Sequence, residues 1–307
     1  MSRYKFRKVS GVSGCEGVYS EVVKFLSEDL CWACLDSGSS PNCIRHGYGR
    51  EYSVFFVEGI TRVETIYMMV DWYDRGVAQC GVVFTLLPYY EPNVTIFTDD
   101  SYFENSTSVG TGAVVLPRSG TFTLWLWGDK DCVIGVVKVD GSRYFQFYAG
   151  AYGRYMSYEF DPLPVVLISS HGKFSYSKYW SDFGDGYAIG RAVDVVYYDD
   201  YGRLNESTGY FLHDPDNWLD HTDSCIRTAG PFVHCIESSN LFAAPFYLFS
   251  LEGDSLRGQL KHMLKLSWVG TRSPEDTVTL LGTDYIIFPS ETSLNPRFFY
   301  ALPYGVV

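Results

Sequence analysis

The feature that most constrains this chain is a hairpin signal near its middle. Residues 133–139 (Val-Ile-Gly-Val-Val-Lys-Val) and 142–148 (Ser-Arg-Tyr-Phe-Gln-Phe-Tyr) are β-branched and aromatic runs separated by Asp140-Gly141. Asp-Gly suits a two-residue turn because both central positions need positive φ and the type I′ twist matches that of the strands it joins. A chain holding this signal must build at least one antiparallel sheet. Just ahead of it, residues 120–127 alternate, with Phe122, Leu124 and Leu126 on one side and Thr121, Thr123, Trp125 and Trp127 on the other. A period of two marks a strand.

Similar runs bounded by Gly, Pro, Asn and Asp occupy residues 52–57, 65–72, 81–87, 93–98, 241–251, 283–288 and 297–302, and each reads as a strand. Residues 256–269 are ambiguous. Leu256, Leu260, Met263 and Leu264 fit a helix, whereas Leu264, Leu266 and Trp268 alternate; the surrounding sheet favours a strand. One helix stands out: Tyr19, Val22, Val23, Phe25, Leu26 and Leu30 recur at three and four residues across 16–30, with Ser20, Glu21, Lys24, Ser27 and Glu28 on the wet face. Residues 169–239 lack either period and read as long ordered loops. No repeat of fixed length appears, which argues against propellers and solenoids.

The expected fold is therefore mainly β, with antiparallel sheets in a sandwich-like arrangement, one N-terminal amphipathic helix and long ordered loops. Three regions are expected. Residues 1–50 hold the helix and a Cys-containing loop, 51–164 form a β-rich domain, and 165–307 form a loop-rich and second β-rich region that can pack as one unit with the first. Pro162 and Pro164 mark the second boundary, since neither can donate to a ladder.

Composition narrows the function. Of 307 residues, 24 are Lys or Arg and 36 are Asp or Glu, for a formal charge of −12. That balance argues against a nucleic-acid groove, which needs clustered Lys and Arg, and against docking on anionic lipid. The 25 Tyr, 21 Phe and 7 Trp supply ample core material, so wholesale disorder is excluded. The basic start Met-Ser-Arg-Tyr-Lys-Phe-Arg-Lys is not followed by the apolar stretch of a signal peptide, and no apolar run approaches membrane-spanning length. Synthesis in a cytoplasm is expected, and the sequons at Asn93, Asn105 and Asn205 read as chance matches.

Motifs for chemistry are scarce. No phosphate-cradling glycine loop and no Gly-x-Ser-x-Gly elbow occurs. Cys31-x2-Cys34-x8-Cys43-x2-His46 has pairwise metal-ligand spacing, and three thiolates with an imidazole make a legal tetrahedral zinc shell. Buried free thiols, or one or two disulfides closing in an oxidising medium, are open alternatives, with the pairing of the eight cysteines undetermined. His213, Asp214, Asp216, Asp220, His221 and Asp223 crowd one segment, but Leu219 and Cys225 stand where a calcium loop needs Gly and Glu. Glu58, Glu64, Asp71 and Asp74 accompany Trp72 and Tyr73 and could flank a sugar groove, whose hydrolysis needs two carboxyls across the bond.

Residues 124–150, from Leu-Trp-Leu-Trp-Gly-Asp-Lys-Asp-Cys to Tyr-Ala-Gly, followed by Asp161-Pro-Leu-Pro-Val, resemble a segment of virion structural proteins of tailed bacteriophages. The segments 256–264, 285–289 and 298–303 resemble the end of such proteins. The resemblance covers under a third of the chain. It implies a non-enzymatic virion component of the tail, neck or baseplate, present in several copies, whose partners are other virion proteins and copies of itself. It carries no catalytic, cofactor-binding or metal residue across, and none is assigned from the residues themselves. On this reading, aromatic side chains between residues 176 and 210 become ordered against partner chains. Two rivals remain. One is a carbohydrate- or host-surface-binding module using Trp72, Tyr73, Trp125 or Trp127; the other is a cell-envelope hydrolase.

Overall fold

The structure is a computed structural model that describes residues 4–39, 49–57, 66–74, 79–87, 90, 110–139, 141, 143–154, 165–169, 187–190, 210–212, 236–237, 241–250, 256–267, 272–280, 282–289 and 298–305. The chain begins with β1 (Lys5–Ser13), α1 (Gly14–Lys24) and a π-helical turn (Phe25–Asp29). Five strands follow: β2 (Ala33–Ser39), β3 (Gly49–Val57), β4 (Ile66–Asp74), β5 (Gln79–Leu87) and β6 (Gly110–Pro117). Then come β7 (Thr121–Gly128), β8 (Cys132–Val139), β9 (Arg143–Ala151) and the short β10 (Gly153–Arg154). Short strands β11 (Val165–Ser169), β12 (Tyr187–Gly190), β13 (Tyr210–Leu212) and β14 (Ile236–Glu237) lead to β15 (Leu241–Ser250) and β16 (Leu256–Ser267). The chain ends with β17 (Thr277–Leu280), β18 (Thr283–Pro289) and β19 (Phe298–Pro303).

Every pairing among the described residues is antiparallel. One sheet runs β2-β3-β4-β5-β6; the other follows a long path, β1-β7-β8-β9-β11-β12-β13-β15-β16-β19-β18-β17. In the first leg of that path, β7-β8-β9 form a central layer buried on both faces, with the largely exposed β1 at its edge. Phe122, Leu124, Leu126, Val133, Val137, Phe145 and Phe147 pack on one side against α1 and the five-stranded sheet. Trp125, Trp127, Ile134, Val136, Tyr144 and Tyr148 pack on the other against Leu260, Met263, Ile286, Phe288 and Leu302. The long sheet thus turns back over itself, and the result is sandwich-like. The period of two explains it: each strand of the middle layer delivers one apolar set to each neighbour.

The helix appears where its periodicity places it. Leu30 N–H bonds to Phe25 O at 3.0 Å and Trp32 N–H to Leu26 O at 2.9 Å, a widened last turn that sends both Phe25 and Leu26 inside. Cys15 on α1 and Cys80 on β5 form a disulfide across 65 residues of sequence, so one pairing among the open alternatives is decided.

Several strands lack a sequence signal, β10 and β11 among them. β1 carries a register shift at Gly11 between Ser10 and Val12, which resets its alternation. β2 reads Ala-Cys-Leu-Asp-Ser-Gly-Ser, a turn-like composition that becomes a strand only through its ladder to β3; β6 and β17 are also additions to the expected set. The hairpin is corrected in one detail. Val139 pairs with Arg143, so the connection holds three residues, 140–142, with Gly141 at φ 78°. A three-residue loop with a left-handed glycine is the next favoured solution after the two-residue turn. Within 169–239 the short strands β12, β13 and β14 replace what reads as loop, while residues 93–98, Pro162 and Pro164 lie outside the described residues. No helix among the described residues is long and apolar enough to cross a membrane.

Candidate functional site

The site forms where the β7–β8 connection meets β16. Gly128-Asp-Lys-Asp-Cys132 makes a tight turn in which Asp129 N–H bonds to Cys132 O at 3.0 Å. Asp129 Oδ1 accepts from Asp131 N–H at 2.7 Å and Cys132 N–H at 3.1 Å. An aspartate folding onto the backbone two and three residues on is ordinary turn chemistry. Trp32, just after the helix, donates its indole N–H to Asp129 O at 3.1 Å. From β9, Ala151 N–H bonds to Asp131 O at 2.8 Å. Gly150 makes that approach possible: it sits at φ 123°, and a Cβ there would stand 2.3 Å from Asp131 O.

The opposite wall is a bulge in β16. Pro245 pairs with Leu264 while Tyr247 pairs with Gln259, so residues 260–263 face a single residue of β15. Leu260 and Met263 drop into the core, and Lys261 and His262 swing toward the turn. His262 adopts φ 58°, a left-handed conformation uncommon outside glycine but enriched for histidine. Bulges re-aim side chains in this way. They also account for the ambiguous sequence here: the alternation stops at Leu260 and restarts at Leu264.

His262 Nε2 lies 2.9 Å from Asp129 Oδ2, and Lys261 forms an ion pair with Asp131. Tyr148 donates its hydroxyl to Ala151 O at 2.6 Å, accepts from Lys261 N–H at 3.3 Å and reaches the Cys132 thiol. The ligating atoms of Asp129, Cys132 and His262 all lie within 4.8 Å of one another. Asp129 and Cys132 are 4 % and 0 % exposed.

Burial raises the Asp129 carboxyl, but the His262 hydrogen bond, the Lys261 cation and the backbone N–H of Asp131 outweigh it and hold the group well below the usual carboxylate range. Burial pushes the Cys132 thiol far up, with the Asp129 charge adding to it. Lys261 is lowered by burial and raised more by its bond to Asp131 and the Asp129 charge, for a net rise. Cys, His and Asp together make the parts of a nucleophilic triad, yet such a triad needs an activated thiolate. Burial instead moves this thiol away from the thiolate, and His262 Nε2 faces Asp129. Nucleophilic catalysis is not what this arrangement supports; a thiol, an imidazole and a carboxylate within 4.8 Å of one another are the donor types of a metal site.

The residues singled out from sequence are placed elsewhere. Cys31 and Cys34 are free and exposed, their thiols directed to Glu28 O at 3.7 Å and Asp36 O at 3.4 Å; Cys43 and His46 lie outside the described residues. So do Glu58, Glu64, the sequons and the whole segment from His213 to Asp223. The sugar-groove set is not brought together. Alternation along β4 sends Trp72 into the core between the layers and Asp71, with burial raising its carboxyl well above normal, to the opposite face. Asp74 pairs with Arg118 at 3.2 Å. Tyr73, Trp125 and Trp127 are 1 %, 0 % and 0 % exposed, so none of them can line a groove. Asp129, Cys132 and His262 were missed because 130 residues separate the last two; only the Asp-x-Asp-Cys turn after a strand hints at a fixed local geometry.

The chain is thus a mainly-β protein of layered antiparallel sheets with one helix, whose buried polar cluster joins two of the layers. Neither a protein-family model nor a curated sequence matches it.

Proposed function

We propose that this chain is a non-enzymatic structural subunit of a tailed-phage virion, in the tail, neck or baseplate, assembling with copies of itself and other virion proteins. The observation that carries the assembly reading is β2. Among the described residues it pairs with β3 alone, and six of its seven residues, Leu35 included, are exposed. An edge strand left open is a template for a strand from another chain. The opposite case stands in the same molecule: the edge of β1 carries Lys5, Arg7, Lys8 and a bulge, devices that discourage pairing. The resemblance of residues 124–150 to virion structural proteins supplies the kind of particle. The burial of Trp125, Trp127 and Tyr73 speaks against the glycan-binding alternative.

Sedimentation of the purified chain and mass spectrometry of purified particles test this reading. It expects self-association that Leu35→Lys weakens, and the chain among the particle proteins. A chain that stays monomeric at high concentration and is absent from particles overturns it.

A further inference from the structure

We propose that Asp129, Cys132 and His262 bind one zinc ion that staples the β7–β8 turn to the bulge of β16. Three observations converge. The first is the donor set itself: a carboxylate oxygen, a sulfur and an imidazole nitrogen within 4.8 Å of one another, the ligand types zinc takes in tetrahedral sites. The 2.9 Å contact between His262 Nε2 and Asp129 Oδ2 has to open by only a few tenths of an ångström for both atoms to share an ion.

The second is the supporting shell. Asp129 Oδ1 is already held by the N–H groups of Asp131 and Cys132 and Asp129 O by the Trp32 indole, leaving Oδ2 as the oxygen aimed at His262. Outer partners of this kind fix the orientation of metal ligands. The third is backbone strain: His262 is held at φ 58° in a four-residue bulge, and strain of this kind collects where a side chain must be aimed.

Charge agrees. Asp129 and Asp131 against Lys261, paired with Asp131, leave one net negative charge before the metal arrives. On binding, the Cys132 thiol loses its proton to solvent and its sulfur bonds to zinc, His262 binds as neutral imidazole, and the dication is matched by thiolate and carboxylate. The metal supplies the ionisation that burial otherwise opposes. The Tyr148 hydroxyl, which reaches the Cys132 thiol, stands beside these three ligands. With Asp129 and Cys132 buried and His262 partly so, the ion ties together segments 130 residues apart in sequence. This inference is independent of the assembly reading.

The test uses the full chain stripped by chelator, in a background where Cys31, Cys34, Cys43, Cys225 and Cys235 are serine, so that Cys132 is the one free thiol beside the Cys15–Cys80 disulfide. Zinc titration is expected to saturate at one equivalent and raise Tm. Cobalt(II) is expected to give a thiolate charge-transfer band with the visible bands of a tetrahedral site. Cys132→Ser abolishes the charge-transfer band, and His262→Ala lowers zinc affinity beyond the roughly 10–100-fold that loss of an outer partner costs. His262→Ala in the otherwise natural chain is the second variant, because its loss spares the core. No bound zinc, no charge-transfer band, or unchanged affinity in His262→Ala overturns the proposal.

Discussion

The two faces of the central layer are held by different means. On the side of α1 and the five-stranded sheet, the contact is mainly apolar: Phe84 stacks on Phe147 at 4.2 Å between ring centres, Val, Leu and Met fill most of the rest, the Trp32 indole adds one bond to Asp129 O, and Cys15–Cys80 locks helix to sheet. On the side of β16, β18 and β19, rings carry polar ends that reach across. Trp127 donates to Pro303 O at 2.7 Å and Gln146 to Pro289 O at 2.5 Å. Tyr144 donates to Glu275 at 2.8 Å, and Lys138 pairs with the same carboxylate. Phe288 is packed by Trp125 and Trp127 at 5.1 and 6.0 Å. Greasy burial tolerates exchange of shape, whereas each buried donor that must find one acceptor dictates a register. One interface is held mainly by apolar packing, the other by direction.

The sharpest test of that contrast uses neighbours on one strand. Trp127→Ala should cost about 3–5 kcal/mol, and Trp127→Phe about 1–3 kcal/mol by leaving the Pro303 carbonyl unpaired. Leu126→Met, one residue away on the apolar face, should cost under about 1.5 kcal/mol. Urea unfolding of the three measures this, and equal costs for Trp127→Phe and Leu126→Met would break the distinction.

Removing the disulfide with Cys15→Ala and Cys80→Ala should cost about 2–4 kcal/mol, since it frees a long loop in the unfolded chain; thermal unfolding under non-reducing conditions shows it. Asp129→Asn, measured with chelator present, should cost about 1.5–3 kcal/mol at neutral pH, the range for hydrogen bonds to a charged group.

The pH dependence separates two buried acids. Asp129 has its folded carboxyl depressed, so its contribution is complete above pH about 4 and is lost as pH falls from there. Asp71 has its folded carboxyl raised, so the natural chain loses stability as pH rises above about 4, where only the unfolded state ionises. Asp71→Asn should therefore gain on the natural chain with rising pH, and Asp129→Asn should close its deficit with falling pH; unfolding at stepped pH reads both signs. Least of all, Arg7→Ala should cost under about 1 kcal/mol, although Arg7 contacts Glu21, Glu28 and Asp29 at 3.8, 3.2 and 2.6 Å, because partly exposed ion pairs are worth little.

Period and turn chemistry, written into the sequence alone, determined the helix, the strands of the central hairpin and the β character of the chain. They act within a few residues, and that is the range over which a sequence can be read. Both apolar faces of β7 are legible in Phe122, Leu124, Leu126 and in Trp125, Trp127. Which layer meets each face is not, because that depends on where the long path of strands turns back. β2, turn-like by itself, is a strand because β3 offers it a ladder. Cys15 has seven possible partners in sequence and one in space. The meeting of Asp129 and Cys132 with His262 belongs wholly to tertiary structure: a bulge, a left-handed residue and a folded-over sheet bring together groups that no local spacing relates.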